Sequence, residues 1–272
     1  MRAGSCELAV LDSYELDSRA ICELARSTAV LTIAEANRCA QAGLVLDYHL
    51  DRAEDHDEDC LEDRDGALLG PRFAPLDPAF FAAARRGAEV RAVLVTTGGS
   101  RRARELLGPL AAAAAAEFPG AEILIAGGGI PIAGGESETG GDGPLDALRR
   151  DLGADSFLRF LPVRASLLDA LPHTDLAIGG AGLSAYELAC AGAPLLALAL
   201  SADQRRVLEG LRKRDLAVCL DLTGGDSLAD VPAALRRLRD RATRERLARH
   251  GMRTFDGGGA GRAAIALTGL FA

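Results

Sequence analysis

Residues 179–204 read GGAGLSAYELACAGAPLLALALSADQ. The first two glycines close an apolar run, DLAIGG. A third follows one alanine later and opens a helical pattern carrying Glu187. A second apolar run, PLLALAL, then ends in Asp203 and Gln204. Strand, glycine turn, helix and strand in that order make a parallel β/α unit. In an open α/β sheet, ligands sit outside the carboxyl ends of the strands. Glycine there lets a ligand approach the main chain. A helix that begins near Gly182 points its free N–H groups and positive dipole end to the same place. That is a seat for a phosphate or pyrophosphate. Ser184 is placed to cap the helix or to donate to a phosphate oxygen, and Glu187 to reach a ribose hydroxyl pair. Glycines of this kind also simply make tight turns, so one such stretch is a weak signal.

Two further stretches point the same way. TTGGS at 96–100 ends another apolar run and opens a helix, bringing Gly98, Gly99 and Ser100 to a strand end. SADQ at 201–204 ends a third, where Asp203 and Gln204 can hold sugar hydroxyls. Three strand ends of one sheet then converge on one ligand.

Composition excludes several classes. The 272 residues are 49% hydrophobic and 26% charged, with a net charge of −8, an ordinary globular balance. An acidic chain is a poor partner for nucleic acid, which favours a basic face. No apolar run reaches the roughly 20 residues of a membrane span, and MRAGSCELAVLD at the start lacks the apolar core of a signal peptide. The cysteines, Cys6, Cys22, Cys39, Cys60, Cys190 and Cys219, form no C-x-x-C pair. Most lie in apolar or helical patterns, which suits a cytoplasmic chain with reduced thiols. The scattered histidines give no zinc spacing, so neither a metal nor a cofactor is expected. The acidic run at 51–66, with His56, reads as a solvated segment.

Along the chain, apolar runs at 7–12, 29–34 and 44–48 read as strands. A proline-rich stretch, LLGPRFAPLDPAFFAAARRG, marks a crossing between units, so the boundary is set near residue 88. After residue 90, six strand–helix units follow, with Pro109 expected to kink or restart the first helix and a glycine-rich surface loop at 127–143. The expected fold is α/β with two Rossmann-like units: a partial one over 1–88 and a complete doubly wound one over 89–272.

These residues carry a resemblance. LVTTGGS together with TDLAIGGAGLSAYELACAGAPLLALALSADQ resembles the nucleotide-sugar-binding half of GT-B proteins. VLDSYELD at 10–17, LLGPRFAPLDPAF at 68–80 and FDGGGAGR at 255–262 are similar to segments of a narrower family. That family contains the UDP-sugar hydrolase of the pseudaminic acid pathway and its spore-coat polysaccharide relatives. The resemblance implies removal of UDP from a deoxy-amino-sugar nucleotide in surface-polysaccharide biosynthesis. It assigns Gly180, Gly182, Leu183 and Ser184 to the diphosphate and Glu187 to the ribose. Gly98, Gly99 and Ser100 would line the other side of a cleft between the units, and Asp203 and Gln204 would contact the sugar. Main chain near Leu161 to Val163 would read the uracil, and Tyr14 would face the cleft.

The chain departs from the family in several respects: TIAEAN stands where the family has an acidic pair, the family's Asn is absent from ADQRRVLEGL, and one further loss touches the chemistry directly. The G-x-G-H-x-x-R unit that opens the family is absent, so the first unit reads as truncated. Its histidine suits acid/base work because its pKa lies near neutrality. His49, in DYHL, and Tyr14 are the candidates to replace it. His173 and His250 read as structural. Three outcomes stay open: a UDP-sugar hydrolase, a GT-B glycosyltransferase, or a non-catalytic protein that binds a nucleotide-sugar or a partner protein completing the first unit.

Overall fold

Two parallel sheets organise the chain. The computed structural model describes residues 7–12, 17–33, 44–53, 66–85, 87–98, 101–126, 157–161 and 166–269. Contacts group it into two compact units, residues 1–78 with 255–272 and residues 79–254. The strands are β1 (Leu8–Leu11), β2 (Ala29–Ile33), β3 (Leu44–Asp47), β4 (Ala67–Leu69), β5 (Ala92–Thr96), β6 (Glu122–Ala126), β7 (Leu158–Phe160), β8 (Leu176–Gly180), β9 (Leu195–Ala199) and β10 (Val218–Asp221). The helices are α1 (Ser18–Leu24), α2 (Arg101–Glu117), α3 (Leu167–Ala170), α4 (Leu183–Cys190), α5 (Gln204–Lys213), α6 (Val231–Arg237), α7 (Arg241–Thr254) and α8 (Gly259–Thr268). Among the described residues no helix is long and apolar enough to cross a membrane.

In the first unit the strands pair in parallel in the order β1-β2-β3-β4. The three apolar runs expected as strands are β1, β2 and β3. The three-residue β4 was not anticipated, because its apolar run is shorter than a strand pattern can declare. Asp17 caps α1, its carboxylate accepting the Ala20 N–H at 2.8 Å, a contact worth about 1 kcal/mol. Leu31, Leu44, Leu46, Leu68 and Phe73 form the core, and Ala263 of α8 closes it. α8 begins inside FDGGGAGR, at Gly259.

The second sheet is also parallel throughout, in the order β10-β9-β8-β5-β6-β7. Its central strands are buried along their whole length, Val93, Leu94 and Val95 in β5 and Leu195 to Ala199 in β9. Strands covered on both faces read as continuous apolar runs rather than alternations, which is why the sequence shows them plainly. One helix, α2, runs through Pro109, so the expected restart there is not seen. The glycine-rich stretch at 127–143 and most of the acidic run, 54–65, lie outside the described residues.

Within the first unit, α8 packs at close quarters against the segment that follows β4. A Cβ on Gly259 would stand 2.1 Å from the Ala74 carbonyl oxygen, whereas one on Gly261 would meet nothing within 4 Å. Arg262 Nε donates to the Arg72 carbonyl at 2.8 Å and holds the same approach. Two substitutions on one helix therefore move stability in opposite directions. Gly259→Ala is expected to destabilise by about 1–3 kcal/mol through overpacking. Gly261→Ala is expected to stabilise by about 0.5–1 kcal/mol through helix propensity. Urea unfolding midpoints at constant slope measure both.

Candidate functional site

The strand order fixes where a ligand site can form. The chain enters the second sheet at β5, moves out through β6 to β7, and returns to β8 on the other side of β5. The order reverses between β5 and β8, and their carboxyl ends border the crevice such a switch point leaves.

Each strand ends there in a residue with little or no side chain in the way. Gly179 lies so close to β5 that a Cβ would stand 3.2 Å from the Thr96 carbonyl oxygen. For Gly180 the corresponding distance to the Thr97 carbonyl oxygen is 3.3 Å. Gly98, at φ +84°, turns the chain from β5 toward α2 in a conformation few other residues adopt, with open space where a side chain would be. Thr97 is buried, and its hydroxyl donates to the Ala103 carbonyl at 2.7 Å, tying the turn to α2.

α4 starts directly behind Gly180. Gly182 is its N-cap residue, no side chain caps it, and a Cβ there would meet nothing within 4 Å. The first N–H groups of a helix have no intrahelical acceptor, so this end offers donors and a positive dipole to an open space. Ser184 does not serve as the cap. It sits one residue inside the helix and hydrogen-bonds Glu187. Burial pushes the Glu187 carboxyl above its ordinary value, and the bond from Ser184 opposes that rise. Leu183 is exposed.

β9 supplies the third edge. Gln204, the first residue of α5, turns its side chain back so that Oε1 accepts the Leu200 N–H at 2.9 Å. Its amide atoms lie 3.7 Å from the Cβ position of Gly180. Asp203 is exposed and caps nothing with its side chain. Arg205 anchors the start of α5: Nε donates to Thr223 Oγ1 at 2.6 Å and lies 3.0 Å from Asp221 Oδ2 at the end of β10. The hydrogen bonds from Thr223 are the main reason the Asp221 carboxyl is held below its ordinary value.

The structure thus brings Gly180 and Gln204 together against Thr97, with Gly98 and the start of α4 adjoining in the chain. Gly99, Ser100, Tyr14, Pro162 and Val163 lie outside the described residues. Leu161 is buried at the end of β7, its N–H donating to the Ile125 carbonyl. Thr97 was missed because TTGG drew attention to its glycines alone.

In the first unit, His49 follows β3. Its Nδ1 lies 2.7 Å from Asp47 Oδ1, which also accepts the His49 main-chain N–H at 3.2 Å. An ionised carboxylate only accepts, so Nδ1 carries the proton and Nε2 keeps its lone pair in the neutral ring. The ring stacks on Tyr48 with centroids 5.6 Å apart. The side chains of His49 and Asp47 are 13% and 4% exposed. Asp47 is the orienting partner that sequence reading did not single out, although residues i and i+2 at a strand end share a face. His173 is exposed, and His250 binds the loop after α5 through Asp215.

Solved structures of GT-B glycosyltransferases share this fold. MurG of Acinetobacter baumannii superposes with a TM-score of 0.67 at 15% identity, over 96% of this chain and 73% of that one. The spinosyn rhamnosyltransferase SpnG, complexed with thymidine diphosphate, gives 0.53 at 18% identity, over 95% of this chain and 72% of that one. WaaG, a glycosyltransferase involved in lipopolysaccharide biosynthesis, gives 0.54 at 16% identity, over 92% of this chain and 65% of that one. At these identities the likeness is one of fold, a two-sheet α/β GT-B arrangement. No family model and no curated protein matches the sequence.

Glu187 gives this site a pH signature. A carboxyl whose folded value is raised binds protons more tightly when folded, so its contribution to stability is lost as pH rises through that value. Glu187→Gln keeps a group that can accept from Ser184 and removes the buried charge. The variant is expected to match the wild type in acid, below the ordinary glutamate range, and to melt at a higher temperature at neutral pH. Thermal unfolding of both proteins across pH 4–8 checks this.

Proposed function

We propose that the protein binds a nucleoside diphosphate sugar, UDP-linked, at the carboxyl edge of the second sheet and cleaves it. The observation that carries this reading is the uncapped start of α4 behind Gly180, beside the β5–β8 switch point. Main-chain donors and a helix dipole there suit a diphosphate, and Glu187 suits a ribose hydroxyl pair. Gly98, Gly99 and Ser100 complete the diphosphate side, and Asp203 and Gln204 take the sugar. That SpnG was solved with thymidine diphosphate supports a nucleotide-linked ligand for this fold.

Hydrolysis is the first reading, on the three sequence segments that resemble the UDP-sugar hydrolases. Water attacks the anomeric carbon, the bond from that carbon to the diphosphate oxygen breaks, and UDP leaves with the bonding electron pair. The donors at α4 stabilise the charge growing on the leaving group. The water's proton passes to His49 Nε2, with Tyr14 as the other candidate for acid/base work. Glycosyl transfer is the second reading, and the fold shared with MurG and SpnG favours it. A sugar or lipid hydroxyl then replaces water as the attacking group.

Two substitutions separate binding from turnover. Gly182→Ala places a methyl in open space at an ordinary backbone conformation. It is expected to leave the melting temperature unchanged and to weaken UDP affinity about tenfold, because the methyl takes up space at the helix start that a diphosphate would need while every main-chain N–H stays in place. His49→Ala is expected to keep UDP affinity and reduce UDP release from a UDP-linked deoxy-amino-sugar by about 100-fold or more. Titration calorimetry with UDP and thymidine diphosphate, and chromatography of released UDP, give both answers. No affinity for either nucleotide at millimolar concentration would overturn the ligand assignment. Affinity without product would leave a binding protein.

A further inference from the structure

The amino end of β8 borders a pocket of about 210 Å³, at the end of the second sheet away from the start of α4. Pro194, Ala248 and Met252 give it an apolar wall. Its charged lining sorts into matched pairs and a remainder. Asp175, with a side chain 1% exposed, takes Arg85 through Nε at 2.8 Å and through Nη2. The same carboxylate accepts the Arg91 and Ala92 N–H groups. Glu245 takes Arg241 Nε at 2.7 Å. Both lining carboxylates are therefore occupied by a guanidinium of their own.

Arg244 and Arg249 remain. Arg244 is 5% exposed and lines the pocket. Its donors reach the carbonyls of Leu238, Arg239 and Ala88 at 3.0, 2.7 and 2.6 Å. Among the described residues no carboxylate pairs with it. Carbonyls orient a guanidinium without cancelling its charge; Asp175, Asp240 and Glu245 favour that charge from beyond ion-pair distance, and the cost of burying it still outweighs them. Burial accordingly pushes the Arg244 guanidinium below its ordinary value. Arg249 lies exposed at the mouth, further along α7.

The geometry points to a second ligand site here, which takes a phosphate monoester with a short apolar body. A phosphate monoester carries about −1.5 to −2 charge at neutral pH, the complement of two unmatched guanidiniums. Planar guanidinium groups also suit phosphate oxygens in pairs. The apolar body lies on Pro194, Ala248 and Met252. Every group of this site lies in the second unit, so it stands independently of the UDP-sugar reading.

Titration of the full chain with butyl phosphate tests it. Saturable one-to-one binding is expected, unchanged by saturating UDP, with butanol giving no binding. Arg244→Met removes three carbonyl contacts and puts folding at risk, so Arg249→Gln is the working variant. It should weaken butyl phosphate about tenfold, the scale of one charged hydrogen bond, at an unchanged melting temperature. Absence of saturable binding, equal affinity in Arg249→Gln, or displacement of butyl phosphate by UDP would each overturn the site.

Discussion

Main chain packed on main chain between β5 and β8 sets the form of the carboxyl edge. Gly179 and Gly180 sit against the Thr96 and Thr97 carbonyls at separations that leave a β-carbon little room. A larger residue at either position would push apart the two central strands or project into the hollow beyond them. The pair is also fixed at its other end. Asp175, just before β8, accepts the Ala92 N–H at the start of β5 and the Arg91 N–H before it, and Arg85 balances its charge. With both ends tied, the start of α4, two residues past Gly180, inherits a defined position. The helix end becomes a usable donor set because the strands beneath it cannot drift.

The same edge keeps a half-buried carboxylate close to the uncapped start of a helix. Glu187 lies a turn inside α4, away from the uncapped N–H groups, and Ser184 supplies it a hydrogen bond. Its burial works against the charged form, a local cost of the kind often concentrated at functional sites. In the first unit the arrangement runs the other way. Asp47 accepts from both the ring and the main chain of His49, so the pair is matched and the ring is held in one orientation. Glu187 is left partly uncompensated by burial, whereas Asp47 is engaged in orienting the His49 ring.

Much of this was legible in the sequence. Buried parallel strands are continuous apolar runs, so β5, β6, β8 and β9 declare themselves, and GG, GGAG and SADQ mark where strands end. The association of α8 with the first unit was not legible. It rests on Gly259 approaching Ala74 across a long sequence separation, and FDGGGAGR looks like a loop because its four glycines are poor helix formers. Pro109 misled for the opposite reason: proline argues for a break locally, while Leu107, Leu110, Ala111 and Ala114 bury a continuous face that holds α2 as one helix. Asp47 and Thr97 were overlooked because short polar residues beside a histidine or a glycine pair carry no periodic signal.

Overall charge bears on how such a site must work. A chain of net charge −8 repels a diphosphate at long range. At physiological salt that repulsion is screened beyond about 8 Å, so what remains decisive is the set of groups within hydrogen-bond reach. On the proposed reading, the edge at α4 would meet an anion with amides and a dipole, which need no side-chain cation and leave the ligand's charge uncancelled until the donors close on it. Such donors act only at short range and in one direction. Affinity there would then depend on the placement of the main chain at Gly180 and the start of α4, and hardly at all on the surface charges around them. The pole around Asp175 follows another rule. Guanidiniums carry their charge with them, so its arginines must be matched in pairs or leave a surplus that an anion can answer, as at Arg244 and Arg249.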